Sequence, residues 1–220
     1  VYAQMGRGKM ERTVAFAMAG IAGTLSKLAF DACMFNSQNF GFIKLPPQFT
    51  TGSSIMPHKK NPDVFELTRA KCNKIQGLPN LITLICNNLP SGYFRDLQII
   101  KEVFLPAFDE LADCLRMVTH MMREVQVNEH ILDDDKYALL FSVEEVNRRV
   151  VEGVPFRDAY KQVGLEIEAG KLVARKEVHH THEGSIGNLC NDHIADMMRE
   201  VMASFSFERM NEAEKQLIHG

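Results

Sequence analysis

Between Phe104 and Met122 the apolar residues fall at Phe104, Phe108, Leu111, Leu115, Val118 and Met122, in steps that alternate four and three. This spacing lays one stripe along about five turns of helix and suits the seam of a helical bundle. The segment Lys9–Phe35 has the same character, with Val14, Met18, Ile21, Leu25 and Leu28 on one side. Its small residues Ala15, Ala17, Ala19, Gly20, Ala22 and Gly23 permit close approach of a neighbouring helix. Each of the two glycines weakens an isolated helix by roughly 1 kcal/mol relative to alanine, so this helix needs neighbours. A third helix is predicted from about Asp63 to about Cys86, bent or interrupted at Gly77 and Pro79. Period-two alternation is nearly absent, and the predicted class is all-α.

Past Asn128 the pattern changes. "NEHILDDD" is a polar break in which Asp133–Asp135 can cap the helix that follows. Shorter helices are predicted at about Lys136–Glu152, Pro155–Ala169 and Leu189–Ser204. The first carries Glu144/Arg148 and Glu145/Arg149 at the i,i+4 spacing of favourable pairs. "GVPF" supplies a glycine stop and a proline start between the first two. The expected organisation is a piece of a long-helix bundle over residues 1–132, containing the loop 50–63, and a small helical domain over 133–220.

The net charge of −3 gives no electrostatic case for nucleic acid or an anionic membrane. The uncharged run Val14–Leu25 falls short of the roughly 20 residues that span a bilayer. Five cysteines, odd in number and never C-x-x-C, favour reduced thiols and a cytoplasmic location over disulfides or a zinc site. The chain opens on Val1 inside helix-like sequence, and the expectation is a fragment.

The most informative stretch is "TTGSSIMPHKKNPDVFEL", residues 50–67. Gly52-Ser53-Ser54 is small and flexible, Pro57 stops a helix, and Lys59 and Lys60 put charge just before a helix start. Asn61 fits an N-cap and Pro62 the first helical position. Hydroxyls, lysines and a helix N-terminus together outline a site for a carboxylate or phosphate. On composition alone a solvated surface loop explains the same residues.

The order of residues goes further. "GSSIMPHKKNPD" resembles the signature loop of the fumarase/aspartase superfamily. Within it, the "KKNPD" ending, "LPSGYFRDLQIIK" (89–101) and "GVPFRDAY" (153–160) are similar to segments of the argininosuccinate lyase branch. "LSKLAFDACMFNSQNFGFIKL" resembles that branch's helix before the loop, so the likeness spans roughly residues 15–165 and corresponds to the C-terminal portion of such a lyase. Adenylosuccinate lyase and a catalytically inactive structural homologue are the alternatives.

The resemblance implies β-elimination of argininosuccinate to arginine and fumarate, as in arginine biosynthesis, with no metal or organic cofactor. By the same likeness Ser53 is the proton-abstracting base, with Ser54 beside it left open for the role or for binding substrate. Lys59 and Asn61 hold the carboxylate that gains charge, and Glu66 orients a histidine supplied from elsewhere. Tyr93, Gln98 and Lys101 match positions that hold substrate carboxylate and amino-acid groups. A homotetramer with active sites shared between subunits is implied, so this chain alone is expected to be inactive. Two positions depart from the pattern: His58 stands where glutamine is frequent, and "GRGKMERT" does not reproduce the S-D-R-D stretch, so substrate contacts there do not carry over.

Two further clusters are read from the residues themselves. His179, His180, His182 and Glu183 lack a second group to complete a tetrahedral metal site and are taken as a solvated connector. Met117, Met121, Met122, Met197, Met198 and Met202 fall at helical spacing and are taken as core. Asp96 is taken as a helix cap.

Overall fold

The structure, a computed structural model, describes every residue except 174, 179 and 220. Of the described residues 67% are helical, and the chain divides into two compact units, Val1–Leu132 and Asp133–Gly220. The all-α class expected from the apolar periodicity is the class observed.

In the first unit a single turn, α1 (Tyr2–Met5), precedes the long α2 (Lys9–Asn36). Next come α3 (Asp63–Gln76), α4 (Leu78–Ile85) and α5 (Ile100–Glu124). The helix expected over 63–86 is thus two helices broken at Gly77, with Pro79 in the first turn of the second, where its missing N–H costs nothing. The face of α2 that packs is Ala15, Met18, Ala22, Leu25, Ala29 and Ala32. Four of these are alanines, which lets α2 lie close against α3. Ile21, placed on the stripe by spacing, is 45% exposed. By length and composition α2 could also cross a membrane; here its alanine face packs in the bundle core.

On α5 the buried positions are Ile100, Ala107, Leu111, Cys114, Val118 and Met121. Leu111 and Val118 of the sequence stripe are buried, while Phe108, Leu115 and Met122 are exposed on this chain. Spacing alone does not rank two adjacent apolar stripes, and the small side chains of Ala107 and Cys114 mark the one that touches α2–α4. Met117 is likewise exposed, so of this methionine group only Met121 is core.

A second cluster holds Ala29, Ala32, Leu45, Phe65 and Met121, with Cys33, Ile43, Phe49, Val64 and Val125 packed against it. It is roofed by short ladders. β1 (Ile43–Lys44) pairs antiparallel with β4 (Gln126–Val127), Ile43 opposite Val127. β2 (Thr51–Gly52) pairs with β3 (Lys60–Asn61). Asn128 locks the first ladder by donating its backbone N–H to Phe42 (2.9 Å) and its side-chain amide to Gly41 (3.2 Å).

In the second unit a 3-10 helix over Asp135–Phe141 leads into α6 (Ser142–Val151), followed by α7 (Phe156–Glu168), α8 (Asn191–Ala203) and α9 (Phe207–His219). The Asp134 carboxylate accepts the Lys136 N–H at 3.0 Å and caps the 3-10 helix, as the acidic run suggested; this bond lowers its pKa. Val146, Ala159 and Val163 make the small core. Arg149 joins α6 to α7 by pairing with Glu145 (3.2 Å) and Glu166 (2.7 Å). The expected Glu144/Arg148 pair does not form. Arg148 bonds Glu145 and Glu152 instead, and Glu144 takes His180 at 2.9 Å. α8 and α9 bury no residue, so Met197, Met198 and Met202 are exposed rather than core.

Candidate functional site

The 50–63 segment is a pinned hairpin. Thr51 stands opposite Asn61 and Gly52 opposite Lys60 in an antiparallel ladder, with Ser53–Lys59 forming the connection. Pro57 follows Met56 in a turn closed by the Lys59 N–H donating to the Met56 carbonyl at 3.0 Å, a position that suits the fixed φ of proline. The Thr51 hydroxyl donates to the Asp63 carboxylate and fastens the first strand to the first turn of α3. Asn61 lies in β3 rather than at an N-cap. Pro62 occupies that position, its carbonyl accepting from Phe65 (2.9 Å) and Glu66 (3.1 Å). The cap expectation failed because the strand pairing claims the Asn61 backbone first.

Ser53 is the hydrogen-bonded hydroxyl of the connection. Its Oγ accepts the backbone N–H of Ile55 at 3.2 Å and of Met56 at 3.1 Å. Two amide dipoles aimed at one oxygen stabilise negative charge on it. Ser54 is exposed, and its hydroxyl has no partner among the described residues. The pair that sequence left open is therefore unequal in environment.

Beside the hairpin lies a cleft of about 760 Å3 lined by residues that include Lys44, Met56, His58, Lys59, Lys60, Asn61 and Glu66. Lys59, Asn61 and Glu66 share it, while Ser53 and Ser54 do not line it. Glu66 points there from the first turn of α3, and among the described residues no histidine bonds it. Asp63 and Glu66 already place two carboxylates at that helix end. The charge left to attract an anion is that of Lys44, Lys59 and Lys60. Cys33 also lines the cleft; burial raises its thiol pKa, with Arg69 opposing and Glu66 adding to the rise. Lys44 and Cys33 were missed in the sequence because no local pattern marks them. They arrive through the β1 ladder and the α2 C-terminus.

Tyr93 and Gln98 pair with each other, and among the described residues no hydrogen bond or ion pair ties Lys101 to them. Gln98, in a 3-10 helix over Arg95–Gln98, donates its amide to the Tyr93 hydroxyl, and Lys101 is exposed in the first turn of α5. None of the three lines the cleft beside the hairpin. Asp96 is exposed and caps nothing; the cap position of its 3-10 helix is Phe94. The turn before α2 reaches the Tyr93–Gln98 pair: the Arg7 guanidinium lies 5.5 Å from the Tyr93 ring centroid.

His179 lies outside the described residues. His180 is half-buried against Glu144 and its ring is 5.6 Å from that of His182, so His180 is tied to α6, while His182 and Glu183 are exposed as expected of a solvated connector. Among the described residues no three His, Cys, Asp or Glu side chains are grouped to hold a metal.

The sequence profile of the family described as "Lyase" matches residues 11–77. The argininosuccinate lyase of Parabacteroides distasonis is 87% identical over 220 residues, covering 100% of this chain and 49% of that protein. That of Bacteroides thetaiotaomicron is 75% identical over 99% of this chain and 49% of its own length, and that of Sorangium cellulosum 36% identical over 87% and 45%. The chain thus spans about half the length of the curated relatives it matches. Among solved structures, a fumarate lyase:delta crystallin from Brucella melitensis superposes with TM-score 0.61 at 22% identity, over 74% of this chain and 36% of that one. An EDDS lyase in complex with formate gives TM-score 0.56 at 24% identity, over 71% and 32%. These two likenesses establish the fold.

Proposed function

From a chain homologous over its whole length to the argininosuccinate lyases of the fumarase/aspartase superfamily, we propose that the protein containing it cleaves argininosuccinate to arginine and fumarate. The step is a β-elimination. A base takes the proton from the carbon beside a carboxylate, the carbanion is held as an aci-carboxylate, and the C–N bond breaks as the leaving guanidinium nitrogen is protonated.

The observation that carries the reading is the environment of Ser53. A serine hydroxyl is a poor base because its alkoxide is costly, and the Ile55 and Met56 amides lower that cost. One such oriented donor is worth about 10^2- to 10^3-fold in rate. Lys59 and Asn61, following in the same hairpin, receive the carboxylate on which charge doubles. A lysine is a compact point charge suited to that task, and at about 4 Å and an effective dielectric of 20 a unit charge contributes about 4 kcal/mol. Glu66 orients a histidine from another region of the protein. Ser54, Tyr93, Gln98 and Lys101 bind substrate.

Separation of the hairpin cleft from the Tyr93–Gln98 pair supports a homotetramer in which each active site draws on several subunits. This chain alone supplies only part of a site and is inactive by itself. The reaction needs no cofactor, and five cysteines, odd in number and never C-x-x-C, fit a cytoplasmic enzyme.

Fumarate release, followed by ultraviolet absorbance, tests this in the full-length protein given argininosuccinate or, separately, adenylosuccinate. Release from argininosuccinate alone is expected. Release from adenylosuccinate alone, or from neither by a soluble assembled protein, overturns the reading.

A further inference from the structure

We infer that Cys72 and Cys114 form a redox-sensitive staple, in which hydrogen peroxide joins the two thiols as a disulfide between α3 and α5. Both residues lie outside the hairpin cleft, so the inference stands apart from the elimination reading above.

Helix register brings the two thiols together. Phe65 of α3 and Met121 of α5 share one core cluster. Lys74 of α3 pairs with Glu110 of α5 at 2.7 Å. Between those two ties the helices run antiparallel. One heptad along α3 from Phe65 stands Cys72, and one heptad back along α5 from Met121 stands Cys114, two helical turns on each side. Both are buried, at 0% and 2% exposure, in the same apolar cluster. The Cys72 thiol donates a hydrogen bond to the Cys114 sulfur. The other three cysteines are dispersed: Cys33 in α2, Cys86 just past α4 and Cys190 in the second unit.

A small oxidant can reach this pair from one side. A pocket of about 200 Å3 between α3 and α5 is lined by Thr68, Lys71, Asp113, Cys114 and Met117, and Cys72 does not line it. A water molecule takes about 30 Å3 in the liquid, so hydrogen peroxide fits there with room to spare. Burial pushes the Cys72 thiol up to about 12, and the Cys114 sulfur and Glu110 add to the rise. Burial raises the Cys114 thiol too, but the bond from Cys72 and the Lys71 ammonium oppose it. Cys114 is therefore the first to react, as its thiolate. Both thiols stay protonated at neutral pH, so the staple forms under sustained peroxide and not at rest.

The Cys114 thiolate attacks one peroxide oxygen, the O–O bond breaks, and Cys114 becomes a sulfenic acid as the first water leaves. The Cys72 sulfur then attacks the Cys114 sulfur, the S–O bond breaks, and the second water leaves. Two thiols and one peroxide give one disulfide and two waters, with two electrons passing from sulfur to oxygen. The bond closes the chain between the two helices and stabilises the fold chiefly by restricting the unfolded chain. In a reducing compartment such a bond is transient and is reversed by thiols.

The test treats the full-length protein with hydrogen peroxide, unfolds it in iodoacetamide and digests it with trypsin. The expected product is residues 72–74 joined to residues 102–116, lighter by two hydrogens than the separate peptides and split by dithiothreitol. The oxidised protein is expected to unfold about 5 °C above the reduced one, and Cys72→Ala or Cys114→Ala each abolish the rise. The peptide map needs no variant, so a substitution that disturbs the core leaves it intact as a test. Cys72 and Cys114 both recovered alkylated while Cys33, Cys86 or Cys190 is oxidised overturns the inference. So does a link between two chains instead of within one, or a link that leaves the unfolding midpoint where it was.

Discussion

The Ser53 hydroxyl oxygen accepts the backbone N–H of Met56 at 3.1 Å, and the Met56 carbonyl in turn closes the turn that delivers Lys59. One residue thus orders the proposed base on one side and the proposed cation on the other. The arrangement depends on a short ladder and on one side-chain bond from Thr51 to Asp63, which makes it sensitive to small changes outside the reacting groups.

Thr51→Val or Asp63→Asn cuts the bond between β2 and α3 without touching Ser53, Lys59 or Asn61. A hydrogen bond to a charged group at an exposed position is expected to change turnover by about three- to tenfold. Amide hydrogen exchange across 51–61 should quicken in the same variants. Unchanged exchange with unchanged turnover would show that the ladder alone holds the hairpin.

Phe65 is fully buried beneath this region, between α3, α2 and α5. Phe65→Ala removes a large side chain from a closed cluster and is expected to cost about 3–5 kcal/mol of stability. Phe65→Leu, closer in volume, should cost less. Denaturant midpoints of the two variants compare these directly.

The helices were legible because helical packing writes a period into the sequence, from which α2 and α5 follow, while the break at Gly77 follows from Gly77 and Pro79 themselves. Choosing the packed face was harder. On α5 the exposed stripe through Phe108, Leu115 and Met122 is as apolar as the buried one, and the alanine or cysteine that allows close contact carries little apolar signal of its own. α9 escaped because its apolar residues are sparse among charges. At the site, the hairpin residues were readable as one contiguous run. Lys44, Cys33 and Arg7 were not, since each reaches its neighbours through tertiary contacts across tens of residues.

In the second unit Glu145 is 6% exposed, and its carboxyl pKa falls from 4.5 to about 2, first through hydrogen bonds from Arg148 and then from Arg149, against the opposing effect of burial. The folded group ionises below the unfolded one. The stabilisation is therefore whole above about pH 4.5 and is lost as pH falls toward 2. Allowing for the partly exposed Arg148, it amounts to about 2 kcal/mol. Hydrogen exchange of the α6 and α7 amides should show Glu145→Gln less protected than the unmutated chain at pH 6 and equal to it near pH 2. A difference that persists at pH 2 would assign the stabilisation to packing instead of charge.

The most direct test of the central claim compares Ser53→Ala with Ser54→Ala in the full-length protein, measuring fumarate release from argininosuccinate. Loss of a general base is expected to lower turnover by about 10^2- to 10^4-fold, so Ser53→Ala should fall in that range with its assembly intact. Ser54→Ala should stay within about tenfold, as fits loss of one binding hydroxyl. Turnover that survives Ser53→Ala and collapses in Ser54→Ala would contradict the account and move the base one residue along the hairpin.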